Sequence, residues 1–197
     1  MLAAAPAGRP RSILRSIISV SIAVSVPAPA RYTLLARTFH WTIAVLMAGM
    51  FITMFLHQGA AENSPAALYW IKAHMSLGLL VFGLSLLRLL ARQTPPEPLS
   101  RGIARLAAVG MQKLLLLVTL LLPVTGFLRV MTHGYAVSFF GYTIPSVTGN
   151  MPGVNAIFKV LHGGAMPLIV LTLIGLHIAA ALFHHFVLKD ATLKQMV

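Results

Sequence analysis

Gly175-Leu176-His177-Ile178-Ala179-Ala180-Ala181-Leu182-Phe183-His184-His185 is the stretch that decides how this chain folds. It belongs to an apolar run from about Leu161 to Leu188, and a bilayer is crossed by about 20 such residues in a helix. Within that run stands His177. An ionisable side chain at membrane depth is costly, so it is a candidate functional residue by default.

Three more runs read the same way: about Thr38 to Leu56, about Leu68 to Leu90, and about Val109 to Met131. The 197 residues are 58% hydrophobic and 9% charged, against about 25% charged in a soluble domain. Backbone groups in lipid must be satisfied within their own segment, so the runs are helices. The fold class is an all-α membrane protein, a four-helix transmembrane bundle. Ser64 and Pro65 predict the cap and first residue of the second helix. Pro123 and Pro167, inside spans, should kink theirs.

Fifteen Lys and Arg against three acids give a net charge of +12. Arg9, Arg11, Arg15, Arg31, Arg37, Arg88, Arg92, Arg101, Arg105, Lys113, Lys189 and Lys194 fall on one side of the membrane, and Lys72, Arg129 and Lys159 on the other. The positive-inside rule places both termini of this multi-pass protein in the cytoplasm. Bases dispersed between apolar runs are topology signals, and no nucleic-acid partner is expected. Glu62, Glu97 and Asp190 lie far apart, so no carboxylate pair or acidic cation site forms. The absence of cysteine removes thiolate zinc sites, Fe–S clusters and covalent haem attachment.

Residues 1–30 imitate a cleaved signal peptide: three arginines, the apolar Ile17–Val26, then Pro27-Ala28-Pro29-Ala30. A disordered or interfacial extension, or a start codon placed too early, is the favoured reading. The transmembrane domain is residues 31–197.

Of eight histidines, four fall into depth-matched pairs. His40 and His177 lie near the inner ends of the first and fourth spans, His74 and His162 in the outer parts of the second and fourth. His162 and His177 are about 22 Å apart on one continuous helix and point to roughly one side. Two neutral imidazoles from different helices are what six-coordinate haem iron needs, and haem b requires no cysteine. A packing role is the bland alternative for any single histidine. Gly78, Gly175, Ala180 and Ala181 beside the ligands suit a flat macrocycle, and equally suit helix packing. Arg88, on the face of His74 but at inner depth, and Arg92 either pair with haem propionates or snorkel to the surface. His184, one heptad beyond His177, and its neighbour His185 either line a quinone or proton-relay site or are merely interfacial. His57 and His133 read as outer-loop residues.

From Arg31 to Val197 the chain resembles the bacterial cytochrome b561 family of small four-helix, di-haem b cytochromes, and especially its superoxide-oxidase members. The resemblance is carried by Phe39-His40-Trp41, by His74-Met75-Ser76-Leu77-Gly78 through Arg88-Leu89-Leu90-Ala91-Arg92, and by Leu122-Pro123-Val124-Thr125-Gly126. Phe140-Gly141-Tyr142-Thr143-Ile144-Pro145 and the stretch quoted first complete it. It implies two haem b groups, held by His40 with His177 and by His74 with His162. It also implies electron exchange with ubiquinone and, in the superoxide-oxidase members, superoxide as donor. The chain departs from the family pattern in three places. It has one residue more between His162 and His177, where a bulge at Pro167 is expected; Gly163 stands where Glu is frequent; Gln112 stands where the superoxide oxidases carry a third-helix His.

The expected function is a di-haem cytochrome linking the periplasmic side to the ubiquinone pool, with superoxide:ubiquinone oxidoreductase as the specific form. Two alternatives stand beside it. One is a membrane cytochrome b subunit of a hydrogenase- or formate-dehydrogenase-type complex, docking a periplasmic redox partner. The other is a haem-free proton or metal transporter, against which the scarcity of acids argues.

Overall fold

A computed structural model describes residues 31–91 and 101–197. Helix α1 (Leu34–Gly59) begins at Thr33, whose hydroxyl accepts from the Ala36 N–H at 3.2 Å. Helix α2 (Pro65–Leu90) begins as its sequence predicts: Ser64 accepts from Ala67 N–H at 3.1 Å and Pro65 occupies the first position. Each such cap satisfies a helix-end donor and contributes about 1 kcal/mol. The α1–α2 connection turns through Asn63 at φ 57°, a left-handed conformation that asparagine tolerates. His57 closes this turn by donating Nδ1–H to the Ala67 carbonyl at 2.9 Å, which is a structural role.

Helices α1 and α2 form an antiparallel pair around Ile43, Met50 and Val81, with Leu46, Met47, Leu77 and Leu84 against them. Gly78 faces the Met50 side chain at ordinary contact distance, so here it serves helix packing. Helix α3 (Gly102–Thr132) runs through Pro123, which is buried. The apolar span of the sequence starts at Val109, but the helix begins at Gly102, because helix formation does not stop where hydropathy does.

Beyond α3 a small hairpin forms, β1 (Val137–Phe139) with β2 (Tyr142–Ile144). Its two turn residues, Phe140 at φ 45° and Gly141 at φ 93°, are both left-handed, the backbone that joins twisted strands through two residues. The hairpin docks on α2, where the Phe140 N–H donates to Ser76 Oγ at 2.9 Å.

The fourth span comes in two pieces. Helix α4 (Pro152–His162) runs back along α3, with Asn155 Nδ2 donating to the Arg129 carbonyl at 2.6 Å. It stops at His162, and the chain turns at Gly163 and Gly164, the latter at φ +53°, before helix α5 (Met166–Phe183). This corrects two expectations. His162 and His177 do not share a continuous helix, and Pro167 neither kinks nor bulges a span. It lies in the first turn of α5, where its missing N–H costs nothing. The irregularity sits at the glycine pair instead.

After α5 a π-helical turn (His184–Leu188) ends at Lys189, φ 53°, and a 3₁₀ turn (Leu193–Gln195) follows. The Gln195 carbonyl accepts from Tyr32 N–H at 3.0 Å, so residues near both ends of the domain meet at one end of the bundle. We call this the tail end, and the opposite one the hairpin end. Four spans are long and apolar enough to cross a membrane, and little of their surface is buried within the chain. Phe55, Val45, Leu106 and Leu168 are among the exposed apolar side chains, as lipid contact demands.

Candidate functional site

The bundle brings four histidines together in two pairs. At the tail end the rings of His40 (α1) and His177 (α5) have centroids 6.2 Å apart at an interplanar angle of 60°. Toward the hairpin end His74 (α2) and His162 (end of α4) are 6.1 Å apart at 70°. Two imidazoles ligating one iron from opposite sides, with nitrogens about 2 Å from it, put their ring centres about 6.3 Å apart. Both pairs have the spacing for one six-coordinate iron. Among the described residues no group of three or more His, Asp or Glu gathers as a metal site.

The hairpin-end pair is also oriented for this role. His74 Nδ1 lies 3.0 Å from the Met50 carbonyl and His162 Nδ1 lies 2.8 Å from the Leu122 carbonyl. A carbonyl can only accept, so each Nδ1 carries the proton and each Nε2 keeps its lone pair. A carbonyl on the far nitrogen is the usual support of a metal-bound histidine. Met50 is about 14 Å along α1 from the hairpin end and Leu122 about 15 Å along α3, so the two rings are anchored at matching depth. Gly126 makes the room. A Cβ there would lie 2.6 Å from Cε1 and 2.8 Å from Nε2 of His162, so only glycine lets the ring lie on α3.

Arg88, half-buried, lies near enough to both His40 and His177 for its charge to act on them. It thus faces the tail-end pair, whose depth its spacing from His74 had suggested. Arg92 falls outside the described residues. Gly175 has open space where a Cβ would stand.

His184 is held by Asp190: Nδ1 and Oδ2 are 2.6 Å apart, and Thr192 N–H donates to Oδ1 at 2.9 Å. Partial burial pushes the Asp190 carboxyl up, but the bonds from His184 and Thr192 outweigh it and hold the group below its usual range. His185 packs edge-on to Phe186, and its Nδ1 is buried with no hydrogen-bond partner. His133 stacks on Tyr135 at 4.5 Å, a loop contact.

The contacts that hold the His74 and His162 rings were not among the sequence expectations. Met50 and Leu122 act through backbone carbonyls, which carry no sequence signal. Gly126 and Arg129 do carry one, for they are small and charged residues three apart on the helix face that His162 meets.

Comparison with known proteins identifies the family. The family of prokaryotic cytochrome b561 matches residues 31–197. Cytochrome b561 homolog 2 of Escherichia coli is 32% identical over 181 residues, covering 86% of this chain and 92% of the relative. The probable superoxide oxidase CybB of Yersinia pestis is 30% identical over 173 residues, 85% of this chain and 96% of the relative. Cytochrome b562 of Cereibacter sphaeroides is 32% identical over 173 residues, covering 84% and 94%. A bundle of four apolar spans with histidines facing across it, matched over its whole described length, makes this chain a member of the prokaryotic cytochrome b561 family, membrane proteins that transfer electrons on haem b.

Proposed function

We propose that the chain is a di-haem b cytochrome of the inner membrane that passes electrons from the outer, hairpin side to ubiquinone, with superoxide as donor. The observation that carries this is the pair of histidine couples at 6.2 and 6.1 Å, one toward each end of the bundle. In it His40 and His177 hold the inner haem, and His74 and His162 the outer one. Bound haem supplies a one-electron redox centre in each half of the membrane.

The chain's own residues do the rest. The Met50 and Leu122 carbonyls fix the tautomer and tilt of His74 and His162. Arg88 offers a guanidinium for an inner haem carboxylate. At the tail end His184 donates Nδ1–H to Asp190 Oδ2 at 2.6 Å, and in this reading the pair relays a proton to a reduced quinone. The overall reaction balances as two superoxide anions, one ubiquinone and two protons giving two dioxygen molecules and one ubiquinol. Both termini on the cytoplasmic side would put that proton uptake inside.

A second reading, a membrane subunit for a periplasmic partner, is favoured by the hairpin end. Residues 134–158 contain no charged side chain, while Tyr135, Tyr142 and Val147 stand exposed there. Dithionite-reduced minus oxidised spectra with haem quantification of the purified protein test the main reading. Two b-type haems per chain are expected. One haem, or a colourless protein, would overturn it, and a stoichiometric partner at native expression would favour the subunit.

A further inference from the structure

Arg129 stands on α3 one turn beyond Gly126, the residue that His162 lies against. Helical side chains lean toward the N-terminus of their helix, which tips Arg129 back toward that ring. Its Nη1 would lie 3.1 Å from a Cβ at Gly163, the residue directly after His162, and its charge acts on His162. Gly163 has φ −130°, so its value here is space: a Cβ would lie 2.8 Å from the Lys159 carbonyl oxygen as well as against the guanidinium, and without one the end of α4 closes with Arg129 over it.

Arg129 is half-buried and its guanidinium carries five donors. Among the described residues the one ion pair is His184–Asp190 at the other end of the bundle, and no acid reaches Arg129. A partly buried arginine with no carboxylate of its own is costly unless an anion completes it. Bidentate binding of a carboxylate is what its planar fork does best.

We propose that Arg129 binds a carboxylate of the haem seated between His74 and His162. The proposal rests on the reading that this pair holds a haem. Arg129 then does at the hairpin end what Arg88 does at the tail end, and Gly163 is the vacancy in side-chain volume that admits it. Pairing neutralises a carboxylate charge beside the iron, which favours the reduced state, so Arg129 also raises the potential of the outer haem.

Spectroelectrochemical titration of the two haems in Arg129→Gln and Arg129→Lys provides the test. In Arg129→Gln the reduced-to-oxidised ratio of the outer haem at fixed potential should fall about tenfold, which is about 59 mV for one electron. Arg129→Lys should keep most of the shift, and the inner haem should not move in either. If the Gln variant does not accumulate, redox-difference infrared spectra of wild type and Arg129→Lys, with haem labelled at its propionate carboxyls, should differ in the carboxylate bands. An unmoved outer potential, or identical carboxylate bands, would overturn the proposal. So would an unmoved potential with slower reduction by superoxide, because the bound anion would then be the donor. Wild-type protein with one haem that survives His74→Ala would instead remove the reading of the pair itself.

Discussion

Trp41 donates its indole N–H to the carbonyl of Met196 at 3.0 Å, tying the carboxy-terminal turn to the helix that carries His40. The same turn accepts from Tyr32, and Arg37, Thr38 and Trp41 line a shallow hollow beside Met196 and Val197. Trp41→Phe removes one of these bonds, worth about 0.5–1.5 kcal/mol. Amide exchange at Gln195 and Met196 should accelerate up to about tenfold as a result. Unchanged exchange would show that apolar contact alone docks the tail.

The ligand pairs predict selective loss. His40→Ala or His177→Ala should remove the inner haem and spare the outer, and His74→Ala or His162→Ala the reverse. Haem quantification should read one per chain in each case, with the surviving spectrum the same within a pair. Loss of the outer haem from His40→Ala would contradict the pairing.

Two glycines should behave differently under the same change. Gly126→Ala drives a methyl to 2.6 Å from the His162 ring, so the ring must leave its seat and outer-haem affinity should fall about 10–100-fold. Gly78→Ala meets the Met50 methyl at 3.6 Å, an ordinary contact, and should leave both haems in place. Haem retention through a detergent wash distinguishes them.

Asp190 gives a pH prediction whose sign follows from its lowered value. A carboxyl depressed on folding contributes stability above its unfolded value near 3.8, and loses it as pH falls through the lower folded one. Docking of residues 190–195 should therefore hold at neutral pH and weaken below about pH 4. Asp190→Asn should cost well under about 1 kcal/mol, because the pair is partly solvated. Limited proteolysis of the tail across pH reads both effects, and an acid-insensitive tail would exclude Asp190 as its anchor.

Superoxide as donor predicts steering at the hairpin end. Lys72, two residues before His74, and Lys159, three before His162, are both exposed. With Arg129 they outnumber Glu62 by two charges. Lys72→Glu with Lys159→Glu should slow haem reduction by superoxide, and added salt should slow the wild type as the Debye length shortens. Stopped-flow rates indifferent to both would leave the quinone-linked carrier or the subunit reading in front.

What the sequence revealed and what it hid divide along a physical line. Hydropathy and histidine depth located four spans and their pairings, because both are properties of side chains at fixed positions along a helix. Ser64-Pro65 marked a helix start through local chemistry. The break after His162 was written in Gly163-Gly164, but it lay in an apolar run that also reads as continuous helix. The seats of His74 and His162 stayed hidden, because carbonyls at Met50 and Leu122 become partners only once helices are packed. The hairpin was invisible for the same reason, since the Phe140 N–H finds Ser76 across 64 residues.

The joint at Gly163 and Gly164 has a consequence for how such chains can vary. In an unbroken helix, one inserted residue turns everything after it by about 100° and would swing His177 away from His40. Here α4 is fastened to α3 by Asn155 and His162, and α5 starts afresh at Met166. The two halves of the span are therefore indexed separately, each by what it packs against. Length between His162 and His177 becomes a tolerated variable, because a residue added or removed at the joint can be taken up there while both imidazoles keep their partners.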